Sequence, residues 1–453
     1  MMQTLGPRLV VAGTASGVGK TSVATGLMAA LRARGRKVAA AKVGPDFIDP
    51  GYHALATGGP PRNLDAWMCG TEAVAPLAAR AGYGADILII EGVMGLFDGA
   101  DDGTPSSTAD VARLLDAPVL LVLDATGQGA SIAATVRGFR DHTPRVRLAG
   151  VVCNRVGSER HATILRDAIE PLGIPVVGIV PRDDAVVWRD RHLGLVPAIE
   201  DADSVRAALD RLSAHIAAHV DLDLVEMIAA RAPATAVAEP PTPERQTACR
   251  IAVAGGRAFS FTYQDNLDAL VAAGAEVVTF DPLQDSTLPG DVDGVIVGGG
   301  FPEVFALQLA ENQALMADVA TRVAAGVPIW AECGGLLWLS ASLDGHKMAG
   351  VVPTRARMSD RLTLGYRVAT TSTTSPIGPP GTVLRGHEHH RTICEPAGDA
   401  LLLESPHITR REGFATPGIL ATYLHHHAGG DPRAMAAFAT AAGARRPFVR
   451  GHR

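Results

Sequence analysis

Two places in this 453-residue sequence combine residue types and spacing that could do chemistry: "GTASGVGKTS" (residues 13–22) and the lone thiol inside "WAECGGLLWL" (residues 330–339). In the first, Gly17 and Gly19 flank Val18 and let backbone N–H groups turn toward phosphate oxygens. Lys20 can neutralise the β- and γ-phosphates of a nucleotide, and the Thr21 hydroxyl can hold Mg2+. The spacing is a variant. The usual leading glycine would fall at Thr14, and the glycine stands one residue earlier, at Gly13. Mg2+ is a hard cation that prefers oxygen ligands. "KVGPDFIDPGYH" offers Asp46 and Asp49, and "ILIIEGVMGLFDG" offers Glu91 and Asp98. Asn154 could read an adenine edge with its amide, or cap the helix expected to start near Ser158.

In the second place, Cys333 follows an apolar run and precedes two glycines. A sharp strand-to-helix turn presents a nucleophile above a sheet edge, and a helix N-terminus favours a thiolate. Gly334 can donate its N–H to an oxyanion, with Gly299 or Gly300 of "VIVGGGFPE" supplying a second donor. A thiol also needs a base to take its proton. "ATYLHHH" supplies His425 or His427, two residues apart and expected on one strand face. Adjacent strand residues point to opposite faces, so three consecutive histidines are not read as a metal site.

The elements that would position these groups follow from the pattern. "RLVVAG" (Arg8–Gly13) reads as a buried strand, and "SVATGLMAALRARG" is apolar at helical spacing and stops at Gly35. "KVAAAKV", "ADILIIEG", "APVLLVLDA", "RLAGVVCN" and "IPVVGIV" are nearly all apolar, as central parallel strands covered on both faces are. The candidate acids therefore fall at strand carboxyl ends, where open α/β sheets bind ligands. Residues 231–248 carry four prolines and few large apolar residues, a linker composition. A second α/β rhythm follows, with strands in "RIAVAGG", "AEVVTF", "DGVIVGG" and "VPIWAE", and a region richer in strand from about Leu362 to Tyr423. The expected organisation is a doubly wound P-loop domain over residues 1–230, a proline-rich linker over 231–248, and a second α/β domain over 249–453.

Composition narrows the class. A net charge of -6 without a basic run argues against a nucleic-acid partner. No apolar run is long enough to cross a membrane as a helix. The five cysteines form no C-x-x-C pair, which points to a reducing, cytoplasmic setting.

In chain order, "GTASGVGKTS", "KVGPDFIDPGYH", "IEGVMGLFDG", "NRVGSERH", "RHLGLVPAIE", "VGGGFPE", "AECGGL", "GHEHH" and "LATYLHHH" resemble the cobyrinic acid and hydrogenobyrinic acid a,c-diamide synthases. These are glutamine amidotransferases of cobalamin biosynthesis, and the resemblance spans nearly the whole chain. The displaced first glycine is shared with the dethiobiotin synthetase group. The resemblance implies a dethiobiotin synthetase-like P-loop domain that binds ATP and a corrinoid polycarboxylate, followed by a class I glutamine amidotransferase-like domain that takes L-glutamine. By match of motifs, Gly17, Val18, Gly19, Lys20 and Thr21 hold ATP, with Asn154 facing adenine. Thr21, Asp46 and Glu91 hold Mg2+, and Asp49 and Asp98 line the substrate and phosphoryl-transfer region. Cys333 is the glutaminase nucleophile and His425 its base. Many class I glutaminases carry Glu two residues after that histidine. This sequence has His427 there, so the third member of the triad is not assigned and the choice between His425 and His427 stays open. His389 stands where the family commonly has an aromatic residue.

The two halves then make one reaction. A carboxylate does not react with ammonia until phosphorylation gives it a leaving group, and ammonia at neutral pH is mostly ammonium. One half activates the acid through an acyl phosphate, and the other releases neutral ammonia from glutamine. Amidation of the a and c carboxylates consumes two ATP and two glutamines. Two other readings are weaker. The same reaction on another tetrapyrrole, such as nickel sirohydrochlorin, fits the same motifs. A ParA- or MinD-like switch ATPase needs a lysine early in the loop, where Thr14, Ala15 and Ser16 stand. A homodimer is compatible with the sequence and not fixed by it.

Overall fold

The computed structural model describes residues 2–183, 190, 191, 194, 195, 197–238 and 248–444. Part of the "RHLGLVP" stretch, half of the segment expected as linker and the last nine residues lie outside the described residues. The chain forms two units that meet in sequence between Pro240 and Pro241.

The first unit is built on β1 (Met2–Leu5), β2 (Arg8–Gly13), β3 (Val38–Val43), β4 (Asn63–Leu64), β5 (Ile87–Glu91), β6 (Val119–Asp124), β7 (Leu148–Val156) and β8 (Val176–Pro181). Seven of these make one parallel sheet in the order β4-β3-β5-β2-β6-β7-β8. β2 lies at its centre, and all six of its residues are buried. That burial is why "RLVVAG" shows no polar alternation. The helix Lys20–Ala33 packs its Val23, Leu27 and Leu31 onto the sheet, in a core shared with Leu212 and Ile216 of the helix Ala202–His219. A two-residue pair, β9 (Asp190–Arg191) and β10 (Gly194–Leu195), is antiparallel.

The segment read as linker begins as ordered structure. β11 (Thr235–Ala238) pairs antiparallel with β1. The Arg8 guanidinium, wholly buried, donates to the carbonyls of Leu115 at 2.7 Å and Pro233 at 3.0 Å, and so holds the start of this segment. The strand "TAVA" is too short and too small in its side chains for pattern reading to separate it from the prolines after it.

In the second unit, β12 (Cys249–Ala254), β13 (Ala275–Phe280), β14 (Gly294–Val297) and β15 (Ile329–Glu332) recur as parallel strands. The next strands are β16 (Ser342–Leu343), β17 (His346–Lys347), β18 (Arg355–Thr371), β19 (Val383–Glu395), β20 (Leu401–Ser405), β21 (Ile408–Glu412), β22 (Phe414–Thr416), β23 (Ile419–Thr422) and β24 (His425–His426). One sheet runs β13-β12-β14-β15-β23-β22, with β23 parallel to β15. The other is mainly antiparallel, built on the long β18–β19 pair, with β24 at one edge beside β19. β23 and β24 thus carry the chain from one sheet to the other within a few residues.

Glu412 fixes that crossing. It is buried at the end of β21, accepts the Thr422 hydroxyl, and accepts the Tyr423 N–H at 3.2 Å. Burial pushes its pKa up to about 7. Its folded pKa therefore lies above its unfolded value, so the folded protein keeps a proton that the unfolded chain releases. The stabilisation is present at acid pH and is lost as pH rises through about 7. Urea titrations should show wild-type stability falling between about pH 5 and about pH 7 by up to about 3 kcal/mol relative to Glu412→Gln, which has no such proton to lose.

Candidate active sites

In the first unit the loop after β2 wraps the start of the helix Lys20–Ala33. Gly17 (φ 78°) and Gly19 (φ 96°) take left-handed conformations that favour glycine. The displaced Gly13 has a spatial reason. A Cβ there would stand 2.7 Å from both Lys20 Cγ and Val18 Cγ2, so the strand end must be bare for the lysine stem to fold over it. Lys20 is buried, and its Nζ donates to the Ala15 carbonyl at 2.9 Å. Burial, then the nearby Lys42 charge, lowers its pKa to about 8. A loop holding its own cation against a carbonyl, close to a second cation, is prepared for an anion.

Asn154 does not cap the following helix; Ser158 does, accepting the His161 N–H. The Asn154 amide instead donates to the Val18 carbonyl at 2.9 Å, and a Cβ on Gly19 would lie 2.1 Å from its Nδ2. It braces the phosphate loop.

The carboxyl ends of β3 and β5 bring Thr21, Asp49 and Glu91 together. The Thr21 hydroxyl donates to Glu91 Oε1 at 2.7 Å and lies 3.5 Å from Asp49 Oδ2. Two residues missed in the sequence complete the cluster. Lys42 donates to Asp49 Oδ2 at 2.6 Å and to Glu91 Oε1 at 2.9 Å, and His53 Nε2 lies 2.6 Å from Glu91 Oε2. Both lie inside the quoted "KVGPDFIDPGYH". A lysine in an otherwise apolar central strand was the available signal, since it is not buried without a partner. Burial opposes the charge on Glu91, but Lys42 and the His53 hydrogen bond outweigh it and hold the pKa below the carboxylate range. Asp49 goes the other way. Burial, then Asp46 and Glu91, push its pKa well up despite Lys42.

Asp46 has a local task as well: its Oδ1 accepts the N–H groups of Ile48 and Asp49 at 2.7 and 3.1 Å, which shapes the turn into the helix Asp49–Thr57. Asp98 Oδ2 accepts the Gly95 N–H at 2.8 Å, in a loop tied to the phosphate loop by Leu96 N–H on the Gly13 carbonyl. Among the described residues, no three His, Cys, Asp or Glu side chains are arranged to hold a metal by themselves. Mg2+ at phosphate sites takes one or two protein carboxylates and keeps water and phosphate oxygens for the rest. The oxygens of Thr21, Asp46 and Glu91, one hydroxyl and two carboxylates, fit that demand, with Lys42 supplying positive charge on Glu91 and Asp49.

In the second unit Cys333 sits between β15 and the short helix Gly334–Leu339, at φ 46° and ψ −100°. A non-glycine residue at positive φ is a strained turn of the kind that lifts a nucleophile. Glycines on the far side make room for it. A Cβ on Gly335 would meet the Val297 carbonyl at 2.2 Å, and one on Gly334 would meet the Gly300 nitrogen at 3.0 Å. The thiol is not preset as a thiolate, contrary to the expectation from the helix N-terminus. Burial, then Glu303, push its pKa up, and the Gly334 N–H only partly offsets them.

Gly299 also departs from expectation. Its N–H donates to the Phe261 carbonyl at 3.1 Å, so it is not an oxyanion donor. Its use is spatial: a Cβ there would stand 2.3 Å from His425 Cε1. Gly300 and Gly334 remain as candidates for the donor pair. The two histidines are also told apart. β24 ends at His426, so His427 lies beyond the strand rather than on a face shared with His425. His427 packs at a tilt against Tyr263, with ring centroids 4.4 Å apart, accepts the Gly429 N–H and lies 3.9 Å from Asp265. His425 packs against Gly299 and lies 3.8 Å from Glu332, the residue before Cys333.

Residues 9–195 match the model of the CobQ/CobB/MinD/ParA nucleotide binding domain, and residues 250–433 match that of the CobB/CobQ-like glutamine amidotransferase domain. A hydrogenobyrinate a,c-diamide synthase of Streptomyces coelicolor is 46% identical, covering 94% of this chain and 95% of that protein. The chain belongs to the cobyrinate and hydrogenobyrinate a,c-diamide synthase family. A protein of Mycobacterium bovis named hydrogenobyrinate a,c-diamide synthase is 45% identical, covering 97% of this chain and 98% of that protein. One of Syntrophotalea carbinolica named cobyrinate a,c-diamide synthase is also 45% identical, over 95% of this chain and 98% of that protein. The α/β synthetase unit is followed by a glutamine amidotransferase unit, and this family member is an amidating ligase that takes nitrogen from glutamine.

Two substitutions test this geometry. Lys42→Met leaves Asp49 and Glu91 buried without their cation, and should cost about 3 to 5 kcal/mol in urea unfolding of the first unit. Gly299→Ala drives a methyl group into His425. It should cut glutamine-dependent amidation by about tenfold or more and spare amidation driven by ammonium salts, measured as product formed with each nitrogen source.

Proposed function

We propose that this enzyme amidates the a and c carboxylates of cobyrinic or hydrogenobyrinic acid, with ATP and glutamine as co-substrates and acyl phosphates as intermediates. The observation that carries this reading is likeness along nearly the full chain to relatives named for that reaction, over both kinds of site. In the first unit, the amides around Gly17–Gly19 and the Lys20 ammonium bind the ATP phosphates, with Asn154 keeping the loop in shape. Asn154 reaches the adenine only if its amide can serve both purposes. Thr21, Asp46 and Glu91 would hold Mg2+, which when bound would neutralise charge on the phosphates. A substrate carboxylate oxygen attacks the γ-phosphorus in line and ADP departs. Asp49, Asp98 and Lys42 line the transfer region.

In the second unit, Cys333 Sγ attacks the side-chain amide carbon of glutamine as His425 takes the thiol proton. The oxyanion is received by the Gly300 and Gly334 N–H groups. His425 returns the proton to the departing nitrogen, so ammonia leaves neutral, and water activated by the same imidazole clears the glutamyl thioester. Ammonia then displaces phosphate from the acyl phosphate. Supporting this assignment are the strained turn at Cys333 and the engagement of His427 with Tyr263 and Asp265.

The test pairs two variants. Cys333→Ala should make no amide from glutamine while high ammonium still drives ATP-dependent amidation. Lys20→Ala should hydrolyse glutamine yet make no amide from either nitrogen source. Full glutamine-dependent activity in Cys333→Ala would overturn the nucleophile, and turnover of neither candidate macrocycle by the wild type would overturn the substrate.

A further inference from the structure

The position two residues after the base, where many class I glutaminases place a carboxylate, is His427 in this chain, and it faces Asp265 and Tyr263. A carboxylate close to His425 comes from the opposite direction in sequence. Glu332 ends β15 in register with Thr422 at the end of β23, so its side chain emerges beside the turn that leads to His425. It is 5% exposed. Oε1 accepts the His426 backbone N–H at 3.1 Å, which pins the carboxylate in place. Oε2 lies 3.8 Å from His425 Nδ1. The Cε1 edge of the His425 ring meets Gly299, and the two nitrogens lie on either side of that edge. With Nδ1 toward Glu332, Nε2 is on the other side of the ring from that carboxylate. Cys333 is the next residue after Glu332, and its N–H donates to the Thr422 carbonyl at 2.7 Å. One strand end therefore carries both the nucleophile and a carboxylate for its base.

We propose that Glu332 is the positioning carboxylate of the glutaminase, orienting His425 through Nδ1 and stabilising the imidazolium that forms when His425 takes the Cys333 proton. The atoms balance simply: the proton moves from Sγ to Nε2 and back to the leaving nitrogen, and Glu332 stays ionised throughout. The inference rests on the reading of Cys333 and His425 given above. It replaces the missing downstream Glu with the residue immediately upstream of the nucleophile.

The experiment compares Glu332→Gln, Glu332→Asp and Cys333→Ala in the full chain, with glutamine and with ammonium salts as nitrogen source. Glu332→Gln keeps an oxygen for the His426 N–H but removes the charge. Its glutaminase kcat should fall by about a hundredfold with KM for glutamine within about threefold, and ammonium-driven amidation should stay at the wild-type rate. Glu332→Asp should retain more kcat than Glu332→Gln, because it keeps the charge. The proposal is overturned if Glu332→Gln keeps its glutaminase kcat, or if Gln and Asp lose glutamine-driven and ammonium-driven activity alike, which is the mark of a folding role. If Cys333→Ala keeps glutamine-driven activity, the nucleophile itself is misassigned and this inference goes with it. Full activity in Glu332→Gln beside a dead Cys333→Ala removes Glu332 alone.

Discussion

Backbone crowding at the Cys333 turn is the constraint on which the glutaminase unit depends. A residue at φ 46° is held there only when its surroundings allow no alternative. Here those surroundings are two parallel strands and the glycine run after β14, packed so closely that Gly335 has the Val297 carbonyl where a Cβ would stand. The same closeness brings His425 against Gly299 and Glu332 alongside both. The site is thus made of main chain first and side chains second, with glycine as the enabling residue.

The synthetase unit solves a different problem, that of keeping like charges close together before a substrate arrives. Asp49 and Glu91 are buried at neighbouring strand ends, and each would be costly alone. Lys42 and His53 make the arrangement tolerable. Lys20 stands near Lys42 and donates to the Ala15 carbonyl, so positive charge gathers beside the phosphate loop. The two units share a logic, because in both the reacting groups stand at the carboxyl ends of parallel strands.

Much of this was legible in the sequence. The central strands are uniformly apolar because both faces are covered, and β2, β3, β5, β6, β7 and β8 fall where the runs place them. The phosphate loop and the thiol turn were legible because glycine spacing records backbone need directly. What escaped reading depended on partners distant in sequence. Lys42 looks like a stray charge until Glu91 is paired with it across two strands. Gly299 looks like a donor until Phe261 takes its N–H. The thiol looks activated until burial and Glu303 are counted against a short helix. That His425 and His427 do not share a strand face required knowing that the strand stops at His426. β11 was hidden by the prolines that follow it.

The antiparallel contact of Met2–Leu5 with Thr235–Ala238 closes the first unit upon itself, with Arg8 bonded to the Pro233 carbonyl beside it. A chain whose opening and closing segments are neighbours forms a self-contained module. A first half produced alone should therefore run through residue 238, because ending it before Thr235 would strip β1 of its only described strand partner.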